Sequence, residues 1–218
     1  MSPKKLKEIL AKAKPSIVAF EGCSACHFWG RFAKRFAHDV RVIGPRKVKA
    51  FLQGQKTDAN DALAIAVAAM QTGMVFSQLK SEEQQILQSI ETSRKFIDKQ
   101  LVALMNHMRA YLYEYGITTA RGKKSFSQLV ANILGGTIEG NSELPTSLIP
   151  PLQIMWERYE QTLEQRQNIE KQRNALMKQS QPCQRLIELE GVGEVCAAML
   201  FCSLGDAKDL KMADKPLH

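Results

Sequence analysis

Short apolar runs alternate with helical patterns in the first third of the chain. Ser16–Phe20 and Val40–Ile43 are apolar runs of strand length. Residues 4–14, 24–37, 46–53 and 58–71 have the apolar spacing of helices. Strands that alternate with helices are typical of an α/β layer, but two strands do not make an independent sheet. The pattern therefore predicts a partial α/β layer, which is either incomplete or completed by strands from a partner.

Two long helices are predicted in the middle of the chain. Residues 81–116 place apolar side chains three and four positions apart, and Ser81 with Gln84 has the spacing of a capping box. A second polar helix with an apolar stripe runs from Pro151 to about Gln179. Two such stripes fit an antiparallel helical hairpin or a dimerising coiled coil. The expected fold class is mainly α with a partial α/β layer.

A glycine turn lies between two apolar segments near the end of the chain. Gly191-Val192-Gly193 separates helical patterns at residues 185–189 and 194–204. Glycines let the backbone approach a phosphate, and the following helix N-terminus offers free N–H groups. We expect a helix-hairpin-helix that contacts DNA, with an ordinary tight turn as the alternative. The predicted domains are 1–78, 79–180 and 181–218.

Composition and charge restrict the class of protein. The 218 residues are 44% hydrophobic and 24% charged, which excludes wholesale disorder. The formal net charge of +8 favours a polyanionic partner, most often nucleic acid. No apolar run approaches the roughly 20 residues of a membrane helix, and the charged N-terminus does not read as a signal peptide. With five cysteines and no export signal, we expect reduced thiols in a bacterial cytoplasm.

Three carboxylates are candidates for metal chemistry. Asp58 and Asp61 are three residues apart on one helix face, and paired oxygen ligands suit Mg²⁺ or Mn²⁺. Glu21 follows an apolar strand, where α/β sheets place active-site groups. The alternatives are an N-cap role for Asp58, a helix-dipole role for Asp61 and an exposed strand end for Glu21.

Basic residues surround these acids in the sequence, as contact with a phosphate backbone requires. A solvated helix face is the alternative for any one of them. The candidate DNA-binding cations are Arg31, Lys34, Arg35, Arg46, Lys47, Lys49 and Lys56.

The segment Cys23-Ser24-Ala25-Cys26-His27 has the spacing of a haem attachment motif. A redox pair or half of a zinc site would share this spacing. Covalent haem needs export, and the other cysteines form no second Cys-x-x-Cys pair. We therefore expect buried free thiols at the start of a helix.

Several motifs in order carry a resemblance to a known family. Phe20–Arg31 (FEGCSACHFWGR) is similar to E-A-C-x-x-A-H-x-W-A-R, and Lys56–Ala62 (KTDANDA) to K-T/N-D-x-x-D-A. Glu114-Tyr115-Gly116 and Leu189–Gly193 match further landmarks. Together they resemble the DEDD-type transposases of bacterial insertion sequences, in the Piv/MooV-like group.

The resemblance implies a RuvC/RNase H-like N-terminal domain whose four acids bind Mg²⁺ or Mn²⁺. Glu21 would be the second acid, and Asp58 and Asp61 the third and fourth. A helical coiled-coil region and a C-terminal transposase domain with a serine that attacks DNA would follow. The implied function is transposition of double-stranded DNA by metal-dependent phosphoryl transfer, in some members with a structured RNA, and the helical region implies a homo-oligomer. The alternative is a non-catalytic protein for DNA binding or dimerisation.

Two departures from the family pattern create a further expectation. The first acid of the family lies on an opening strand, whereas here no Asp precedes Asp39. After Gly205-Asp206, residues 211–218 no longer follow the pattern and contain no serine. We therefore expect an incomplete RuvC-like domain in a truncated copy that is inactive alone.

Overall fold

The computed structural model describes residues 2–55, 57–120, 122–136 and 144–204. Two parallel strands and a majority of helix confirm the predicted class, mainly α with a partial α/β layer. The strands are β1 (Ile17–Glu21) and β2 (Asp39–Ile43). The helices are α1 (Pro3–Lys12), α2 (Cys26–Lys34), α3 (Pro45–Lys49), α4 (Asp58–Ala69), α5 (Glu82–Glu114), α6 (Lys123–Leu134), α7 (Ile149–Gln179), α8 (Gln181–Ile187) and α9 (Glu194–Leu204).

The chain divides into two compact units. The α/β unit contains Met1–Ile86 with Leu200–His218, and the helical unit contains Leu87–Met199. In the part of the chain that the structure describes, no helix is both long and apolar enough to cross a lipid bilayer.

The two strands pair in parallel, with Ile17 opposite Asp39 and Glu21 opposite Ile43. Because side chains alternate along a strand, Ala19, Glu21 and Ile43 lie on one face of the sheet. Val42 also bridges Ser77 in the antiparallel direction. Both strands end at the same edge, where Glu21 is the last residue of β1.

Helix α4 packs on the sheet face that carries Ala19 and Ile43. Its contact residues are small, and Ala64, Ala68 and Ala69 are at most 2% exposed. Small side chains let a helix axis approach the sheet closely, so the Ala-rich sequence of α4 fits this position.

Helix α2 packs on the opposite face, which carries Val40 and Val42. A Cβ atom added at Gly30 would lie 2.5 Å from Leu79 Cδ1 and 3.1 Å from Val40 Cγ1. Gly30 therefore allows the close approach of α2 to the sheet.

The helical unit has a core of large side chains from three helices. Leu101, Met108 and Leu112 of α5 pack with Phe126 of α6 and Leu152 of α7, all fully buried. Ion pairs also join α5 and α7, and their order along the two helices is antiparallel: Glu91 pairs with Arg173 and Asp98 with Arg166. Within this chain the two apolar stripes thus form an antiparallel hairpin.

Several local predictions match the structure closely. The Ser81 N–H donates to Gln84 Oε1 at 2.8 Å and the Gln84 N–H donates to Ser81 Oγ at 3.1 Å, which completes the capping box. Three helix predictions differ. The helix expected at 24–37 is Cys26–Lys34, since the N–H groups of the next three residues bond three residues back. The helix expected at 46–53 ends at Lys49, since the N–H groups of Ala50 and Phe51 bond three residues back in a tighter turn. The helix expected at 185–189 is Gln181–Ile187, because Pro182 starts it rather than preceding it.

Candidate functional site

Glu21 lies at the carboxyl end of β1, on the sheet face covered by α4. It is half-buried, and its backbone carbonyl accepts from the Cys23 N–H at 2.7 Å. Its side chain and α4 therefore occupy the same side of the sheet.

Asp58 and Asp61 lie in the first turn of α4. The N-cap is Thr57, whose hydroxyl accepts from the Asn60 N–H at 3.2 Å. Asp58 therefore does not cap the helix, and this alternative is wrong. A favourable interaction of both acids with the helix dipole is compatible with their position. Asp58 is exposed and Asp61 is half-buried.

The three carboxylates take part in no ion pair or side-chain hydrogen bond with another described residue. Ionised carboxylates that are free in this way are suitable oxygen donors for a hard cation. Among residues 2–55, 57–120, 122–136 and 144–204, however, no three His, Cys, Asp or Glu side chains are placed to hold an ion together.

The candidate DNA-binding cations divide into two groups. Arg31 donates to the Lys80 carbonyl at 3.0 Å and to Gln85 Oε1 at 2.7 Å, and Lys47 donates to the Val75 carbonyl at 2.7 Å. These two contribute to the internal structure of the α/β unit. The others that the structure describes are exposed and form no ion pair with a described residue: Lys34, Arg35, Arg46 and Lys49. Lys56 lies outside the described residues.

Cys23 and Cys26 are free thiols, but only Cys26 begins α2 and is buried, whereas Cys23 precedes the helix and is exposed, contrary to the prediction. Cys26 is buried, and this burial together with the nearby Cys23 thiol raises its pKa. Burial and the neighbouring Lys80 and Arg31 charges lower the pKa of His27. His27 Nδ1 accepts from the Lys80 N–H at 3.3 Å, so the imidazole serves as a neutral acceptor inside the unit.

A cavity of about 410 Å³ opens at the sheet edge, on the α2 side. Gly22 and Gly44, which follow the two strands, line it together with His27. Lys80, Gln84 and Cys202 also line it but were not predicted. No sequence signal identifies them, because they come from distant segments that meet only in the folded unit.

The Gly191-Val192-Gly193 turn connects α8 and α9. Gly191 has φ +79°, a left-handed conformation that favours glycine. Space is open in front of Gly191 and Gly193, where an added Cβ would meet no atom within 4 Å. The first residue of α9, Glu194, pairs with Arg173 at 3.0 Å. The turn thus exposes backbone that could approach a phosphate. The carboxylate of Glu194, however, places a negative charge at the N-terminus of α9, although Arg173 pairs with it.

Comparison with known proteins gives consistent matches. The family model for DEDD transposases of the IS110 type, described as a transposase, matches residues 3–117. The transposase for insertion sequence element IS1328 of Yersinia enterocolitica is 31% identical over 204 residues. A probable family 20 transposase of Pseudomonas aeruginosa is 33% identical over 208 residues, and the transposase for IS1111A of Coxiella burnetii is 32% identical over 197 residues.

These alignments cover the chain and its relatives unequally. They include 94%, 94% and 90% of this chain, in the same order. They include 59%, 60% and 53% of the relatives. The chain therefore spans a little more than half the length of the curated relatives it matches.

Proposed function

The chain belongs to the DEDD transposases of the IS110 type, and from this premise we propose that it acts in DNA transposition by metal-dependent phosphoryl transfer. The observation that carries the proposal is a set of three carboxylates without partners among the described residues, on one side of the sheet. Glu21 ends β1, and Asp58 and Asp61 begin α4, which packs on the same sheet face.

In this proposal Glu21, Asp58 and Asp61 bind the divalent cation, Mg²⁺ or Mn²⁺, by moving together around it, because the described side chains are not already placed around one ion. Their donor chemistry fits, because hard carboxylate oxygens are the ligands such ions prefer. The half-buried Asp61 and the exposed Asp58 would bind from one helix turn, while Glu21 binds from the strand. A bound cation would supply charge stabilisation for a phosphodiester and its attacking oxygen.

Exposed cations would hold the duplex beside these acids. Arg46 and Lys49 come from α3, which directly follows β2 at the sheet edge. Lys34 and Arg35 come from the end of α2, which leads to the start of β2 at the opposite edge of the sheet, so they would contact phosphates away from the acids. Contacts of this kind go to phosphates and carry no sequence information, so we expect binding that weakens steeply with salt.

A double substitution, Asp58→Asn with Asp61→Asn, tests the metal site. Each change removes a charge and keeps the shape, so Mn²⁺ affinity, followed by electron paramagnetic resonance, should fall by more than the roughly tenfold that loss of an outer-shell partner costs. Because we expect the chain to be inactive alone, the readout is Mn²⁺ affinity and not DNA cleavage.

The matched control is Glu82→Gln with Glu83→Gln. These acids lie in the first turn of α5, as Asp58 and Asp61 lie in that of α4, so the control removes the same helix-dipole contribution. The control should bind Mn²⁺ like the unmodified chain. Equal Mn²⁺ affinity of the chain and both double variants would contradict the proposed site.

The second candidate function is non-catalytic DNA binding through the glycine turn. It is favoured by the lack of a ready three-ligand cluster among the described residues and by the open backbone at Gly191 and Gly193. Under this function the Asp58/Asp61 variant would bind duplex DNA normally and metal would have no effect. Gly193→Val, which crowds the exposed backbone, would then weaken duplex binding.

Further proposed partners are a second copy of the chain and a structured RNA. The helical unit exposes Phe96, Val102 and Tyr113 on α5, with 61%, 46% and 70% of each residue accessible. A second copy would remove this apolar surface from water. Light scattering after size-exclusion chromatography gives the number of copies, with and without RNA.

A further inference from the structure

We propose that the face formed by α1 and α2 binds single-stranded nucleic acid, with exposed phenylalanine rings stacking on bases and surrounding lysines contacting phosphates. This surface is separate from the three carboxylates, and the inference rests on the proposed nucleic-acid function, to which it adds a site for an unpaired strand. It is called the aromatic face, and it consists of Phe28, Phe32, Phe36 and Lys7.

The rings of the aromatic face form a column in which Trp29 joins Phe28 to Phe32. Phe28, Phe32 and Phe36 are four residues apart, so they follow one side of α2 and the turn after it. The ring centres of Phe32 and Phe36 are 5.3 Å apart, and Trp29 contacts both Phe28 and Phe32 edge-on at 5.1 and 6.2 Å. Phe28 and Phe36 remain 45% and 36% exposed. Aromatic surface is thus fixed in place and open to solvent at both ends of the column.

Positive charge surrounds these rings. The Lys7 ammonium lies 5.7 Å from the Phe28 ring centre and 5.8 Å from that of Phe32. In residues 2–20 the only acid is Glu8. The other exposed cations of α1, α2 and the residues that follow them are Lys4, Lys5, Lys12, Lys14, Lys34 and Arg35.

This combination fits a single strand better than a duplex or an apolar protein surface. Base faces in a duplex are covered by their neighbours, whereas an unpaired base offers its face to an aromatic ring. An apolar protein partner would have to cover Lys7 and its neighbours and would pay for their desolvation. Each nucleotide of a single strand instead supplies a base that can stack and a phosphate with a negative charge.

The test measures binding of fluorescein-labelled 15-nucleotide oligo-dT and oligo-U to the full chain by anisotropy. Phe28→Ala with Phe36→Ala removes the two exposed rings, and the affinity should fall about 10-fold or more, since base stacking on an aromatic side chain is worth about 1–3 kcal/mol per base. Phe28→Tyr with Phe36→Tyr keeps the stacking surface and should restore binding.

Matched controls come from the helical unit. Ile154→Ala removes an apolar side chain of α7 that is 60% exposed, more than Phe28 or Phe36, and it should leave strand binding unchanged. Lys4→Gln with Lys7→Gln should lower the slope of log affinity against log salt by about 0.7 per lost phosphate contact. Lys123→Gln with Lys124→Gln changes two exposed lysines of α6 and should leave this salt dependence unchanged.

The two oligonucleotides distinguish the source of the strand. Tighter binding of oligo-U indicates an RNA partner, and equal binding indicates recognition of bases and phosphates alone. Either result supports the proposal. Asp58→Asn should leave strand binding intact, so failure of the metal site and failure of this surface are separable.

Three results would overturn the proposal. One is full affinity in the Phe28→Ala/Phe36→Ala variant. Another is a loss of duplex affinity in that variant as large as its loss of strand affinity, since the aromatic face would then not be specific for single strands. The third is self-association that depends on Phe28 and Phe36 without strand binding, which would assign the face to a second copy of the chain.

Discussion

Three acids of the α/β unit differ in their contacts from the acids that join the helices of the helical unit. In the helical unit, acids are paired with arginines: Glu91 with Arg173 and Arg94, and Asp98 with Arg94 and Arg166. In the α/β unit, Glu21, Asp58 and Asp61 have no described ion-pair partner. Paired, buried acids hold two helices in register, whereas acids without partners are available to a ligand. The helical unit thus uses these charges for structure, whereas the three acids of the α/β unit are the ones to which the proposed function assigns a metal ion.

The hydrophobic cores of the two units also differ, in the size of their side chains. The helical unit packs large side chains such as Phe126 and Leu101, while α4 packs on the sheet through alanines. Small contact residues bring the α4 backbone close to the sheet, and with it the turn that carries Asp58 and Asp61. The chain has two tryptophans, Trp29 in the α/β unit and Trp156 in the helical unit, so each core can be followed by its own fluorescence.

The largest expected effect is that of Arg173→Met in the helical unit. Arg173 is 3% exposed and pairs with Glu91, which is 4% exposed. Removing one partner leaves a buried charge and should cost about 3–5 kcal/mol of unfolding free energy. Urea unfolding followed by Trp156 fluorescence in a Trp29→Phe background measures it.

Two variants control this result. Lys171→Met changes an exposed residue of the same helix and should shift the stability by less than about 0.5 kcal/mol. Adding Glu91→Leu to Arg173→Met should recover much of the loss, because an apolar pair replaces the ionic one. If Arg173→Met behaved like Lys171→Met, the charges of the helical unit would not be structural.

Ala68→Leu tests the close packing of the α/β unit. Ala68 is fully buried between α4 and the sheet, so a larger side chain should cost about 1–3 kcal/mol through overpacking. Ala66→Leu, on the exposed side of α4, should be nearly neutral. Urea unfolding followed by Trp29 fluorescence in a Trp156→Phe background compares them. Equal stabilities would mean that α4 is not held closely.

Gly191→Ala should have a smaller effect on the helical unit. Because Gly191 has φ +79°, a Cβ there should cost about 1–2 kcal/mol. Gly193→Ala removes the other glycine of the turn, which has open space and no positive φ, and it should not destabilise the unit. Thermal unfolding of the two variants gives the difference. A Gly191→Ala variant of full stability would contradict the left-handed turn.

The smallest expected effect is a pH dependence from His27. Burial and the charges of Lys80 and Arg31 lower its pKa in the folded state, so protonation favours unfolding. Its contribution to stability is complete above its ordinary pKa of 6.5 and is lost as the pH falls through that value towards the lowered one. Urea unfolding of the chain and of His27→Gln between pH 7.5 and 5 should show a weaker pH dependence for the variant. Identical pH dependence would contradict this assignment.

Local signals in the sequence identified most elements correctly. Ser81 and Gln84 specify a helix start through hydrogen bonds within one turn, and the apolar runs specify β1 and β2. The predicted helix ends are wrong where the local sequence is compatible with two different boundaries. The pattern at 185–189 predicts a helix that begins too late, because it does not count Pro182, which fits the first turn of a helix. The three-part division at residues 78 and 180, the RuvC-like identity of the first part and the DNA contacts of the glycine turn stay predictions.

The sequence by itself determined the alternation of strands and helices, the two long amphipathic helices and the family, because these depend on residue type and spacing along the chain. Only the tertiary structure decided that Thr57 rather than Asp58 caps α4, that Arg31 and Lys47 are used internally, and that α5 and α7 pair antiparallel in one chain. It also brought Lys80, Gln84 and Cys202 to one cavity. The physical reason is that hydrogen bonds and ion pairs between distant segments depend on which surfaces of helices and strands pack together. The spacing of residues along the chain does not specify this packing.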